Sequence, residues 1–164
     1  MIAEAGIRLV FGGGNAGLMG TAADAALAAG GEVVGVIPHY LIEREHGHRG
    51  VTELRVVDSM HSRKETMFAL ADAFVVLPGG VGTLDETFEI ITWKQLGMHD
   101  KPIVIVDIGG YWQRLDALVA AAVTHGFAAP PTRDLYAMVP GVRDVLETLA
   151  RLPRNRIHTD PARL

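Results

Sequence analysis

Residues 74–86 constrain the fold more than any other part of the chain, because an apolar run leads into a glycine-rich turn and then into helical periodicity. The run Phe-Val-Val-Leu predicts a buried strand, and glycines follow it at positions 79, 80 and 82. Glycines leave backbone N–H groups unshielded, and the N-terminus of a helix attracts anions. The segment therefore predicts a strand–turn–helix unit whose turn, with the hydroxyl of Thr83, can hold a phosphate group.

Strand-like and helix-like segments alternate along the rest of the chain. Apolar runs and alternating patterns predict strands at residues 7–11, 33–37, 53–57, 74–77, 103–106 and 135–139. Helical periodicity predicts helices at residues 17–29, 60–71, 83–96, 111–124 and 142–149. This alternation, with short glycine-containing connections, predicts an α/β fold built on a doubly wound parallel sheet. We expect one nucleotide-binding domain over residues 1–151 and a mobile tail over residues 152–164.

Composition limits the classes of function. Hydrophobic residues make up 49% and charged residues 21% of the 164-residue chain, as in a globular protein. The formal net charge of −4 argues against a general nucleic-acid interface, which needs a basic face. The sequence contains no cysteine, no apolar stretch of membrane-spanning length and no basic start like that of a signal peptide. We therefore expect a cytoplasmic protein that binds neither nucleic acid nor membrane.

Glu86 follows the glycine turn, and two interpretations of this acid are open. An acid in the first turn of a helix commonly complements the helix dipole. Alternatively, the phosphate binds at the turn and the Glu86 carboxylate lies several ångströms away, at the sugar. There it could bind ribose hydroxyls or stabilise a cationic sugar transition state.

A second group of charged residues, Met-His-Ser-Arg-Lys at positions 60–64, opens another predicted helix. Cations at a helix N-terminus oppose the dipole, so local stability does not explain Arg63 and Lys64. In the simpler interpretation, Ser62 and Glu65 form a capping box and the charges are solvated. Together with a phosphate-binding turn, the pair indicates recognition of an anion and a base.

Three motifs now carry a resemblance to a known family. The stretches are PGGVGTLDE at residues 78–86, MHSRK at 60–64 and GGGNAGLMG at 12–20. In this order they resemble the LOG ("Lonely guy") family of cytokinin riboside 5′-monophosphate phosphoribohydrolases, also catalogued as lysine decarboxylases. The resemblance spans about residues 1–150. It implies a Rossmann-like, three-layer α/β/α fold, a homodimer, and hydrolysis of nucleoside 5′-monophosphates to free base and ribose 5-phosphate.

The resemblance also implies the catalytic residues, Arg63 and Glu86. Cleavage of the N-glycosidic bond builds positive charge on the ribose, which Glu86 can stabilise, or it can orient water. Arg63 keeps its proton, so it serves as a hydrogen-bond donor and a fixed charge. We expect Glu86→Gln and Arg63→Ala each to abolish release of base from AMP while leaving the fold intact.

The substrate-binding residues follow from the glycine turns and the resemblance together. They are Gly13, Gly14, Glu45, Arg63, Lys64, Gly79, Gly80, Val81, Gly82, Thr83, Leu84, Asp85, Glu86 and Thr92. Glu45 lies in the run Glu-Arg-Glu-His, which is equally typical of a solvated charged loop. Thr92, six residues beyond Glu86, could instead pack in the core or against its own helix.

The start of the chain departs from the family pattern. Residues 1–6 resemble the last turns of a helix that ends at a glycine, and in the LOG family a strand and a helix come before this point. We therefore expect the family's first strand and helix to be missing, at a cost to the nucleotide pocket.

The residues argue against a cofactor or a metal. Gly12, Gly14 and Gly17 match the dinucleotide fingerprint GxGxxG, but the strand that follows ends without the acid that binds ribose. The few lysines lie in no recognisable pyridoxal site, and the seven histidines lack zinc-ligand spacing. The rival hypothesis is a non-catalytic carrier of a nucleotide or of molybdenum cofactor. The presence of Glu86 together with Arg63 favours the hydrolase.

Overall fold

The computed structural model describes residues 1–152, so the predicted tail lies outside the described residues except for Leu152. The chain divides into two compact units, Met1–Ala71 and a second that begins at Asp72. Each unit contains its own three-stranded sheet and its own helices.

The first unit is a parallel sheet in the order β1-β2-β3. Its elements are β1 (Leu9–Phe11), α1 (Gly17–Ala28), β2 (Val33–Pro38), β3 (Glu53–Val57) and α2 (Met60–Leu70). The central strand, β2, is buried along its whole length, which explains its unbroken apolar sequence. Phe11 and Val33 pack with Ala23 and Ala26 of α1, whose small side chains let the helix approach the sheet closely.

The second unit repeats this construction with a parallel sheet in the order β4-β5-β6. Its elements are β4 (Phe74–Val76), α3 (Val81–Gln95), β5 (Ile103–Val106), α4 (Gln113–Thr124), β6 (Ala137–Val139) and α5 (Val145–Arg151). β5 is central and fully buried. Ile103 and Ile105 pack against Trp112, and Val104 and Val106 pack with Val145 at the start of α5.

Short 3₁₀ turns complete the connections. They span Ala3–Ala5, His39–Leu41, Ile108–Gly110, Pro130–Leu135 and Val142–Asp144. The first ends at Gly6 in the left-handed region, with φ of 68°, which agrees with the predicted glycine C-cap.

The predicted α/β class is confirmed, since parallel strands are joined through helices in both units. Three predicted helix starts were wrong. α5 begins at Val145 rather than at residue 142, because Val142–Asp144 form a separate 3₁₀ turn. α3 begins at Val81 rather than at residue 83, because Gly80 is extended and its carbonyl already accepts the Leu84 N–H at 3.1 Å. α4 begins at Gln113 rather than at residue 111, because the Trp112 N–H binds the Asp107 carboxylate and closes a separate turn. The assignment of residues 1–151 to one domain stays a prediction.

Within residues 1–152, the helices are too short or too polar to cross a lipid bilayer.

Candidate active site

Arg63 lies in the first turns of α2 and points into the first unit, where only 5% of its surface is exposed. The helix is capped by Ser59, whose hydroxyl oxygen accepts the Ser62 N–H at 3.0 Å. The predicted capping box of Ser62 and Glu65 was therefore wrong by one turn. Because α2 begins at Met60, Arg63 lies close to the helix N-terminus, and its side chain reaches the carboxyl ends of β1 and β2.

Protein acceptors surround the Arg63 guanidinium. Its Nε donates to the Val36 carbonyl at 3.1 Å and its Nη2 to the Gly12 carbonyl at 2.6 Å. Nη2 also donates to Glu45 at 3.0 Å. Nη1 is held least, with Glu45 at 3.5 Å and the Met60 sulfur at 3.7 Å. We call Gly12, Val36, Glu45 and Arg63 the arginine cluster.

Glu45 belongs to this cluster rather than to a solvated loop. Its side chain is 27% exposed and pairs with Arg63. Its backbone carbonyl accepts the Asn15 N–H at 3.0 Å, which ties the loop to the end of the first glycine turn. The interpretation of a freely solvated charged run is therefore wrong for Glu45, while Glu43 and Arg44 on the same run are exposed.

The glycines at positions 12–14 are buried under protein atoms. A Cβ at Gly12 would collide with the Arg63 guanidinium, and one at Gly14 would press on Met19 and Glu45. Gly13 adopts a φ of 75°, a conformation that L side chains rarely take. This turn is therefore shaped to accept the protein's own arginine.

His48 was missed by the sequence reasoning, although it fixes the loop that carries Glu45. The His48 N–H donates to the Gly13 carbonyl at 2.8 Å, and its Nε2 lies 2.9 Å from Asp24 on α1. The Gly50 N–H binds Nδ1 at 3.2 Å. The only sequence signal was a histidine next to glycine in a loop, which has no specific meaning without the contacts.

The second glycine turn, residues 78–83, begins after β4 and differs in what surrounds it. A Cβ at Gly79 would collide with the Thr83 side chain, so Thr83 sits against the turn. At Gly80 and Gly82, a Cβ would stand in open space, apart from the adjoining residues and the backbone of the helix itself. Val81, Leu84 and Asp85 are exposed. We call Gly79, Gly80, Val81, Gly82 and Thr83 the open turn.

Glu86 is the sixth residue of α3 and is half-buried. The first turn of this helix contains no acid. The interpretation of Glu86 as a first-turn dipole partner is therefore wrong, because that effect fades beyond the first turn. At 1.5 Å per residue, Glu86 lies about 7.5 Å along the helix axis from Val81, more than one turn from the start of α3.

Lys64 and Thr92 are the remaining residues that were predicted for the site. Lys64 follows Arg63 on α2 and is half-buried. Thr92 is exposed, so core packing is wrong for it. It lines an apolar cavity of about 400 Å³ between α3 and α4, with Phe88 and Phe127 among its neighbours. Six residues separate Thr92 from Glu86, about 9 Å along the helix.

In residues 1–152, no group of three or more histidine, aspartate or glutamate side chains is arranged to hold a metal ion. The His48 ring binds Asp24 and the Gly50 N–H, and the His99 ring binds the backbone of Ile90 and Lys101. Both of these histidines therefore serve local structure.

Comparison with known proteins places this geometry in a family. A family model described as "Possible lysine decarboxylase" matches residues 19–149. A cytokinin riboside 5′-monophosphate phosphoribohydrolase from Rhodococcoides fascians is 50% identical over 133 residues, covering 80% of this chain and 67% of that protein. The chain belongs to the LOG family. A LOG-family phosphoribohydrolase of the same name from Arabidopsis thaliana is 43% identical over 143 residues, covering 87% of this chain and 66% of that protein.

A probable LOG-family phosphoribohydrolase from Oryza sativa is 45% identical over 145 residues, covering 88% of this chain. The chain spans 59% of that relative's length, and 67% and 66% of the lengths of the proteins from Rhodococcoides fascians and Arabidopsis thaliana.

Solved structures confirm the Rossmann-like fold expected of a LOG protein. The molybdenum cofactor carrier protein from Chlamydomonas reinhardtii superimposes with a TM-score of 0.68 at 22% identity, covering 92% of this chain and 80% of that one. A molybdenum cofactor binding protein from Rippkaea orientalis gives a TM-score of 0.66 at 21% identity, covering 91% and 79%. At this level of identity the likeness concerns the fold alone.

Proposed function

We propose that this chain hydrolyses the N-glycosidic bond of nucleoside 5′-monophosphates, including cytokinin nucleotides, to free base and ribose 5-phosphate. The observation that carries the proposal is the open turn at the start of α3 with Glu86 in the next turn of the same helix. The names of the LOG relatives, at 43–50% identity, support the same reaction.

The open turn supplies the phosphate site in this proposal. The first N–H groups of α3 lack partners inside the helix, and the N-cap residue, Gly80, has no side chain to cap them. The helix dipole adds partial positive charge at the same place. A 5′-phosphate bound there is held by backbone amides and the Thr83 hydroxyl, with no lysine or arginine required.

Glu86 then acts on the sugar. In the reaction the bond between C1′ and the base nitrogen breaks, the ribose gains positive charge, and a water oxygen adds to C1′. A carboxylate near C1′ stabilises that charge and can orient or deprotonate the water. The departing base takes up a proton, so each turnover consumes one water molecule.

Arg63 provides a permanent positive charge in the proposed mechanism. Its Nε and Nη2 are committed to Val36, Gly12 and Glu45, which hold the guanidinium plane in one orientation. Nη1 has contacts of 3.5 and 3.7 Å only, at the limit of hydrogen bonding, so its N–H groups are the best suited to a ligand. We assign Arg63 to charge stabilisation, because a guanidinium group in a protein does not give up its proton.

The other residues predicted for the site have narrower proposed roles. Glu45 orients Arg63 and contacts the substrate, Lys64 contacts the substrate, and Thr92 binds it from further along α3. Gly13 and Gly14 serve substrate binding through Glu45, because Gly14 leaves room for the Glu45 side chain and the Gly13 carbonyl binds the His48 N–H of the same loop. We also propose that the protein works as a homodimer in the cytoplasm, and light scattering of the purified chain tests the dimer.

The decarboxylase description has little chemical support in this chain. Pyridoxal chemistry requires a lysine that can form a Schiff base. Burial lowers the pKa of Lys94, but its Nζ donates to the Lys101 carbonyl at 2.9 Å and is used in a local turn. The other lysines are Lys64 and Lys101.

One experiment separates the hydrolase from a carrier. The purified chain is incubated with AMP and, separately, with N6-isopentenyl AMP, and free base and ribose 5-phosphate are quantified. Release of both products in equal amounts supports hydrolysis, and the ratio of the two rates identifies the preferred base. Recovery of intact nucleotide after binding would instead identify a carrier. Glu147→Gln, at an exposed position of α5, serves as a control variant.

A further inference from the structure

Tyr111 reaches across the second unit to the open turn. Its hydroxyl donates to the Gly79 carbonyl at 2.6 Å, although the two residues are 32 positions apart. Tyr111 lies in the connection between β5 and α4, outside every motif that pointed to the site. The bond is short and therefore strong for a neutral pair.

The ring of Tyr111 and the backbone next to it are held by neighbouring residues. Its ring meets the Trp112 ring edge-on at 5.0 Å, and Trp112 is buried at the centre of the core. The Trp112 N–H donates to the Asp107 carboxylate at 2.6 Å, which closes the turn directly after β5. The tyrosine is thus anchored to the sheet, while half of its surface remains exposed.

The geometry of the peptide bond transmits this hold to the turn. A trans peptide is planar, so the Gly79 carbonyl and the Gly80 N–H point in opposite directions. Fixing the carbonyl therefore fixes the direction of the amide. Because both residues are glycines, the backbone here has more conformational freedom than other residues would give it.

We propose that Tyr111 is a positioning residue for phosphate binding: its hydroxyl orients the Gly79–Gly80 peptide so that the Gly80 N–H faces the 5′-phosphate. This inference rests on the proposed phosphate site and names a residue that serves it without touching the substrate. This role explains why the hydroxyl of an exposed tyrosine binds a backbone carbonyl that could otherwise bind water.

The test uses Tyr111→Phe, which removes the hydroxyl and keeps the ring against Trp112. Affinities for AMP and for adenosine are measured by calorimetry on the whole chain. AMP affinity is expected to fall about fivefold to tenfold, the size of one lost hydrogen bond, with adenosine affinity unchanged. A change in the AMP-to-adenosine ratio is the signature, since a general loss of structure lowers both affinities.

Tyr136→Phe is the matched control. Tyr136 also lies in the second unit, and its hydroxyl donates to Asp116 at 2.9 Å, in the core rather than at the turn. Burial raises the Tyr136 pKa, so this tyrosine stays a donor throughout the neutral range. The control is expected to melt at a lower temperature while keeping the AMP-to-adenosine ratio of the unaltered chain.

The outcomes separate this inference from the proposed reaction. If the unaltered chain prefers AMP to adenosine but releases no ribose 5-phosphate, hydrolysis fails and the Tyr111 comparison still decides the positioning role. An unaltered ratio in Tyr111→Phe overturns the inference, as does an equal change in both tyrosine variants. A chain with no preference for the phosphate overturns it as well, because there is then no phosphate site to position.

Discussion

The two glycine turns of this protein look alike in sequence and differ in what their glycines make room for. Each follows a parallel strand and leads into a helix. At residues 12–14 the space is filled by Arg63, Glu45 and other side chains of the same unit. At Gly80 and Gly82 the described residues leave the space open. One turn accepts the protein's own cation, whereas the other is available for an anion from outside.

A glycine-rich pattern in the sequence indicates that some group comes close to the backbone, but it does not identify that group. In the first turn the backbone supplies the Gly12 carbonyl, which binds Arg63 together with the Val36 carbonyl of β2. In the second turn a helix begins directly, so the backbone supplies N–H groups. The sign of the bound charge follows from which end of the peptide faces the space.

Arg63→Ala should have the largest effect, on both stability and activity. It leaves two buried carbonyls without their donor and Glu45 without its partner, at a cost of about 3 kcal/mol in unfolding free energy. The structure thus changes the expectation that this variant keeps its fold intact. Urea denaturation measures the loss, and Arg55→Ala, which breaks the exposed pair with Glu53, is the control. Equal midpoints for the two variants would show that the arginine cluster does not hold the first unit together.

Glu86→Gln should come next and should act on the reaction alone. The amide has nearly the shape of the carboxylate, so stability is retained, while loss of the negative charge at the sugar lowers kcat by about 10²-fold to 10³-fold. Ribose 5-phosphate release measures kcat, and AMP binding by calorimetry checks that the open turn still works. A variant that hydrolyses AMP at the original rate would remove Glu86 from the mechanism.

The helices and strands could be predicted from the sequence only in part. Strand and helix positions follow from local periodicity, and β3 and β5 were predicted at their observed bounds. The start of α3 was placed two residues late, since glycines at positions 80 and 82 give a weak helix signal. That small error made Glu86 look like a first-turn residue and kept the dipole interpretation open.

Long-range contacts explain what the sequence did not reveal. The bond from Arg63 to Gly12 joins residues 51 positions apart, and that from Tyr111 to Gly79 joins residues 32 apart. Each depends on the order of parallel strands, which local patterns do not specify. The motifs identified which residue types matter, whereas the topology decides which of them meet.

Alanine at Gly12 and at Gly82 tests the two turns against each other directly. Gly12→Ala pushes the guanidinium out of its bonds and should cost about 1–3 kcal/mol of unfolding free energy. Gly82→Ala lies in an exposed first turn, where alanine is favoured over glycine by up to about 1 kcal/mol, so stability is kept or raised. Its methyl group stands in the open space, however, and should weaken AMP binding.

Urea denaturation and AMP calorimetry on both alanine variants give the result. The expected pattern is a lower midpoint for Gly12→Ala and a normal midpoint with weaker AMP binding for Gly82→Ala. If both variants instead lost stability to the same extent, the second turn would be packed like the first, and the phosphate site would lose its structural basis.

Glu45→Gln should have the smallest effect, and it asks how far the first turn depends on charge. The amide oxygen can still accept from Arg63 Nη2, so the geometry is kept and only the charge is lost. Because Glu45 is partly exposed, the pair contributes at most about 1 kcal/mol, or about 2–4 °C in melting temperature. Melting curves at low and high salt separate the two terms, since salt should weaken the unaltered pair and leave the variant unchanged. Identical salt dependence of both proteins would mean that hydrogen bonding alone holds the arginine, and that Glu45 carries its charge for the substrate.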